Sequence, residues 1–320
     1  MNFTQFPNLY AAAGLEALYV VEQDAAGNID LRIRNRKTNQ LMGSRRFTDT
    51  TRAEFDIAPI IRQAMEFIPA TGSTGFKSEI SRSILVLVEA VVSGSETTSA
   101  TAPTRTIIPG DLPAQSAIRT SMPLERLIPE GAADELTLMS GNPVSITVTA
   151  EAPGSMSAES FRSMSGGLQI FRLDTRDFPG CETITVDTGS YGTVVYSVVP
   201  ASQNAVRIAW RSHVGSIEHY SFPTVRSTTL RTAKQRAQGV DGFLVTAAET
   251  ARETTLVSAF ETPETLDALA EVISSPEVWL LKNDVYTPID VLTDEAVIQR
   301  LGTLCALEIT VRNKTSTTWN

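Results

Sequence analysis

A chain of 320 residues that is 42% hydrophobic is long enough for two or three domains with real cores and lies far from a disordered composition. Its net charge of −9 argues against broad binding to DNA, RNA or anionic lipid, and no apolar run approaches the roughly 18 residues of a membrane span. Met1–Pro7 lacks the regions of a cleaved signal, and two distant cysteines, Cys181 and Cys305, give neither a disulfide framework nor zinc spacing, which suits a reducing interior.

From the N-terminus, β-branched runs bounded by turn-forming residues predict strands at Ala17–Glu22, Ile29–Asn35, Ser83–Val92 and Arg105–Ile108. A stripe of Ile57, Ile60, Ile61, Ala64 and Phe67 predicts a helix between the second and third of these, with Pro59 tolerable only in its first turn. The polar stretch Ser93–Pro103 reads as a long hairpin tip or a mobile loop, and Pro109–Pro113 as a turn between domains.

The middle of the chain predicts strands at Leu136–Met139, Val144–Ala150, Leu168–Leu173, Thr183–Asp187 and Thr193–Val199, with Ala152–Gly167 as an exposed Ser-, Met- and Gly-rich loop. Further strands follow at Val206–Trp210, Glu218–Phe222, Phe243–Ala247, Thr254–Glu261, Val278–Leu281, Thr287–Leu292 and Thr303–Asn313. Between them Pro263–Ser274 carries the signals of a helix. Thr262 is placed as N-cap, Pro263 opens the first turn, Leu266, Leu269, Ala270 and Ile273 share a face, and Pro276 prevents continuation.

The pattern is that of a mainly β protein: two or three β-sandwich- or barrel-like domains with one or two short helices. The expected division is 1–108, 109–200 and 201–320, the last containing the helix at 263–274.

Few residues point to chemistry. Asp187-Thr188-Gly189-Ser190 matches an aspartic protease loop, but that mechanism shares one proton between two such aspartates, and the chain has no second Asp-Thr-Gly. A homodimer using Asp187 from each copy is one reading; a hairpin turn with Asp and Gly in their usual turn roles is the other. The two histidines, His213 and His219, flank Gly215, so a metal between them is conceivable, although the spacing matches no metal motif and a surface or interface place is the plainer reading. Gly72–Lys77 has the wrong spacing for a phosphate loop. Arg226, Arg231, Lys234 and Arg236 form a basic run that reads either as a docking surface for an acidic partner, including another copy of the chain, or as a solvated face. No residue is assigned to catalysis, a cofactor or a metal.

Arg207–Pro223 is the most distinctive segment. Ile208 and Trp210 alternate with polar neighbours, Gly215 supplies the turn, and Ile217, His219, Tyr220 and Phe222 continue as the returning strand. Trp210, Gly215, Tyr220, Phe222 and Trp279 are read as packing and assembly residues. Trp210 is placed inward, with His213 and His219 at the periphery. Were the tryptophans exposed, they would suit a carbohydrate- or cell-surface-binding module instead.

Three elements recur here in a particular order: Glu54-Phe55-Asp56-Ile57, the Trp210–Gly215 hairpin, and a helix followed by Ser275-Pro276-Glu277-Val278 and a closing strand. This order resembles structural proteins of phages and prophages of Bacteroidetes-type bacteria. In those, a Trp/Tyr-x-Asn-x-x-Gly-Gly hairpin stands where this chain has Trp210-Arg-Ser-His-Val-Gly215 with a single glycine. The resemblance implies a virion tail role, as a distal-tail, baseplate or hub subunit that forms a ring with copies of itself and docks to other tail proteins. It implies no catalytic residue and a place in the virion after assembly in the host cytoplasm.

Overall fold

The computed structural model describes residues 1–92, 98–298, 305–315 and 317–319. It is mainly β, with several sheets and two short helices.

The first sheet is built from β1 (Asn2–Gln5), β2 (Tyr10–Ala12), β3 (Leu18–Asn35), β4 (Leu41–Asp56), β6 (Ile84–Val92), β7 (Thr98–Thr101) and β8 (Arg105–Ile108), while the short β5 (Gly75–Phe76) leaves it for a second sheet. The strands expected at Ala17–Glu22 and Ile29–Asn35 are one long strand, β3, and its partner β4 was not anticipated. The reason is chemical: β4 is exposed along most of its length, so its Arg, Thr and Asp residues show no buried period. Helix α1 (Ala58–Ala64) follows, shorter than its apolar stripe because Met65 is already extended. Ser93–Thr97 in the expected polar loop lie outside the described residues.

Residues 117–199 form two facing sheets. One joins β5 to β9 (Ala117–Arg119), β11 (Ala133–Ser140) and β14 (Gly167–Asp174); the other contains β10 (Glu125–Pro129), β12 (Ser145–Ala152), β13 (Ser155–Arg162), β15 (Thr183–Asp187) and β16 (Thr193–Val199). Leu136, Leu138, Phe171 and Leu173 of the first meet Ile146, Val148, Ile184, Val186 and Tyr196 of the second, the two-layer solution for strands with one apolar face. The stretch 152–167 expected as a loop contains strand β13, paired with β12 from Ser145↔Arg162 to Ala152↔Ser155. As an edge strand with nearly every residue in solvent, it carries no hydrophobic alternation to reveal it.

The last sheet runs from β18 (Ile217–Phe222) through β17 (Val206–Arg211), β21 (Val278–Lys282), β22 (Val285–Val291), β23 (Glu308–Asn313) and β20 (Gly242–Val257) to β19 (Thr224–Gly239), with β24 (Thr317–Trp319) beside β20. Of the closing strand expected at Thr303–Asn313, residues 303 and 304 lie outside the described residues. Helix α2 (Pro263–Ser274) has the bounds and the cap its sequence signals mark, Thr262 Oγ1 accepting from the Thr265 N–H. Its buried face, however, is Leu266, Ala268, Leu269 and Val272, with the expected Ala270 and Ile273 only partly covered. Leu266, Leu269 and Val272 pack with Trp210, Phe222, Leu256 and Ile309, each such side chain contributing about 1.5–3 kcal/mol by burial. Ala209, Ile217 and Trp279 belong instead to the core under the first sheet, so the β17–β21 region has an apolar partner on both faces.

Candidate functional site

The hairpin β17–β18 forms as its alternation requires, in register from Val206↔Phe222 to Arg211↔Ile217. Its turn is pressed against the segment joining the first sheet to the second. Gly215 has φ 90°, and a Cβ there would lie 2.5 Å from the Pro109 carbonyl oxygen. Gly110, with φ 87°, faces it, and a Cβ on Gly110 would lie 2.3 Å from the Val214 carbonyl carbon. Two backbones touch at a point where only glycine fits on either side. Arg119 holds the contact, donating to the carbonyl oxygens of Val214, Pro109, Pro113 and Leu112.

Around this contact lies a buried polar junction that ties the three regions of the chain together. Arg82 makes a two-pronged ion pair with Glu135, at 2.5 and 2.8 Å, with both side chains essentially out of solvent. Arg126 sits 3.4 Å from both Asp134 and Glu218. Arg172 donates to the carbonyl oxygens of Ala70 and Gly72 and pairs with Asp284, which also takes Arg176. Asn283 and Asp284 both have positive φ, as a tight two-residue turn between β21 and β22 demands, and this turn delivers Asp284 to the two arginines.

His219 belongs to the same junction, not to the periphery. Its Nδ1 is 3.1 Å from Asp134 Oδ1, although not aligned as a hydrogen bond, and its Nε2 is 2.9 Å from the Tyr286 hydroxyl. Burial pushes the imidazole below its ordinary value despite the neighbouring Asp134. Burial also raises Glu218, which Arg126 only partly offsets. Asp134 would be raised by burial as well, but His219, Arg126 and Arg207 together hold it well below the usual carboxylate range. His213 points away from all this, exposed and 2.7 Å from Glu271. The two histidines therefore share no ligand, and among the described residues no group of three or more His, Cys, Asp or Glu is placed to hold a metal ion.

The other residues singled out in the sequence fall into clear places. Trp210, Gly215 and Phe222 are buried within the chain and Trp279 is nearly so, so the two tryptophans offer no exposed stacking platform. Tyr220 is half-buried, edge-on to Phe222, and donates to Glu261 at 2.6 Å. Asp187 stands exposed at the end of β15, its carboxylate accepting the Gly189 N–H at 2.8 Å, while Thr188 donates to the Gly192 carbonyl. That is the bonding of a turn.

The surface that remains open is the β19–β20 hairpin. Every residue from Arg226 to Gln238 is exposed, and β19 has, among the described residues, no strand on its outer edge. On the other side β23 and β24 cover β20 only as far as Ala248, so the distal ribbon is two-stranded. It carries Leu230, Phe243, Leu244 and Val245, all largely in solvent. Arg226 pairs with Glu308 and Arg231 with Glu253, whereas Lys234 and Arg236 make no ion pair among the described residues. The sequence marked the basic run; it did not show that the run lies on a projecting arm.

No family model and no curated protein matches the chain. Solved structures with some likeness include extracellular domains 3–5 of Drosophila OTK, at 10% identity and a TM-score of 0.23, covering 79% of this chain and 91% of that one. The first two immunoglobulin domains of DIP-gamma align over 63% of this chain and 97% of that one, at 10% identity and a TM-score of 0.20. A complex of Dpr2 with DIP-Theta gives 12% identity over 62% of this chain and 95% of that one, at a TM-score of 0.17. At these scores neither a fold family nor a function transfers.

Proposed function

We propose that this chain is a non-enzymatic structural protein that works by assembling with copies of itself, as a ring subunit of a phage-type tail at the distal-tail, baseplate or hub position. The observation that carries the reading is the exposed, open-edged β19–β20 arm projecting from a body with a buried, ion-paired junction. A two-stranded ribbon is marginal in water by itself, and its open edge presents unpaired N–H and C=O groups to any neighbouring strand. A chain that keeps such an arm has a use for the edge. The order of the Phe55, Trp210 and Val278 elements supports placing that use in a tail, where other tail proteins are the further partners.

Other readings have less to stand on. Asp187 sits in a surface turn, and Trp210 is fully buried, so neither the protease nor the glycan-platform reading has a specific observation in its favour. The net charge of −9 disfavours a nucleic-acid partner, and no helix among the described residues is long and apolar enough to cross a membrane. Light scattering across a concentration series, with electron microscopy of the same samples, tests the proposal. A defined multiple of the chain mass and ring-shaped particles are expected; a single chain at every concentration would overturn it. Neighbouring genes for a tail tube and a tape-measure protein are expected at the locus of origin.

A further inference from the structure

Two strand edges are open and carry opposite charge. Between residues 226 and 236 the arm holds four cations and no carboxylate, with Lys234 and Arg236 unpaired among the described residues, in a chain of net charge −9. The edge strand β13 is paired only with β12, and Ser155–Ser160 are all in solvent. Exposed carboxylates surround it, with Glu159 on the strand itself, Glu151 directly across from Met156, and Glu182 and Asp177 beside them, against the one cation of the strand, Arg162 at its end.

We infer that the arm of one copy adds to the β13 edge of a second copy, β19 becoming a further strand of the sheet β10-β16-β15-β12-β13. This rests on the reading of the chain as self-assembling and names the two surfaces that meet. Added-strand pairing satisfies the open N–H and C=O groups of both edges. Lys234 and Arg236, two apart on β19, share one face, and Glu159 and Glu151 lie on opposite faces of the acceptor sheet, so one of these carboxylates falls on the face of the two cations and the whole edge offers them negative charge.

Arm-to-arm pairing is the simplest alternative, and charge opposes it. Two antiparallel copies of β19 would set four cations against four. The β4 edge is of mixed sign, with Arg46 paired to Asp30 and Arg52 to Glu54, and offers the arm less net negative charge than β13. Arm and β13 are different surfaces, so the contact repeats head-to-tail into a closed ring or an open filament, or closes by reciprocal exchange into a two-fold dimer.

Reciprocal charge reversal tests the pairing. One variant carries Lys234→Glu and Arg236→Glu; the other carries Glu151→Lys and Glu159→Lys. Each alone is expected to run at single-chain mass with an unchanged thermal midpoint, because all four positions are exposed. Mixed in equal amounts, the two are expected to regain the wild-type assembly as an alternating array, since each arm again meets an opposite edge. Assembly of either variant alone at wild-type strength, or two folded variants that stay apart when mixed, would overturn the pairing while leaving self-assembly standing. A wild-type chain that remains single at all concentrations would overturn both.

Discussion

At the junction, Arg82, Arg126 and Arg172 are buried against carboxylates from distant parts of the chain, whereas on the arm Lys234 and Arg236 stand in water. The same chemistry therefore does different things. Inside, a guanidinium removed from water must be fully paired, so it fixes the geometry of whatever it touches. Outside, an ammonium or guanidinium costs nothing to leave unpaired and is available to steer and hold a partner. The junction is held by ion pairs between distant parts of the chain, while Lys234 and Arg236 on the arm face solvent and make no ion pair among the described residues.

Removing one partner at the junction is the strongest way to break that contrast. Glu135→Ala leaves Arg82 charged and buried, and is expected to cost about 3–5 kcal/mol in chemical denaturation. Next comes Gly215→Ala, which sets a Cβ 2.5 Å from the Pro109 oxygen at a φ of 90°; about 2–3 kcal/mol is expected from the thermal midpoint.

The pH dependence of stability is a smaller and sharper test. Burial lowers the folded value of His219, so the unfolded chain takes up its proton first once the pH falls below about 6.5. Its contribution is complete above that value and is lost progressively toward the depressed folded value. Glu218 acts the other way, since burial raises its folded value above the ordinary 4.5, so acidification toward that point adds stability. His219→Gln is expected to flatten the fall in stability as the pH drops from 7 to 5, with Glu218 offsetting part of the wild-type slope, as read from chemical denaturation at each pH. An identical slope in both proteins would remove His219 from the account.

The arm is expected to show the smallest effect on folding and a large one on assembly. Phe243→Ser with Leu244→Ser should change unfolding free energy by less than about 0.5 kcal/mol, because both side chains are already in solvent. Sedimentation of the same variant should show weakened self-association.

The contrast also explains what could be read from the sequence. Helix α2 is legible because it buries one face and leaves the other wet, which imprints a period of 3.6 on its residues, whereas the β17–β18 hairpin is buried on both faces and is legible from its apolar and aromatic residues on either side of the Gly215 turn. Strands β4, β13 and β19 left no such imprint, having little or nothing to bury on either side. The junction was hidden for the opposite reason. In β11 every residue of Ala133–Ser140 is buried, so Asp134 and Glu135 sit among apolar neighbours in a pattern that reads as a half-exposed strand. Trp210 and Phe222 are buried within the chain, which takes them out of reach of a second copy. His219 was misplaced because nothing local in the sequence announces a partner 85 positions away at Asp134.

The distances along the chain between the paired charges bear on how the protein comes to be folded. Arg82 waits for a carboxylate 53 residues on, Arg126 for one 92 residues on, and Arg172 for one 112 residues on. None of these arginines can leave water until its partner has been synthesised and brought close, so early sheets remain loosely docked while the chain lengthens. The Asn283–Asp284 turn closes the last of the three pairs. Locking of the body is thereby deferred until Asp284 has been made, after the arm itself, so the arm precedes the rigid platform that carries it.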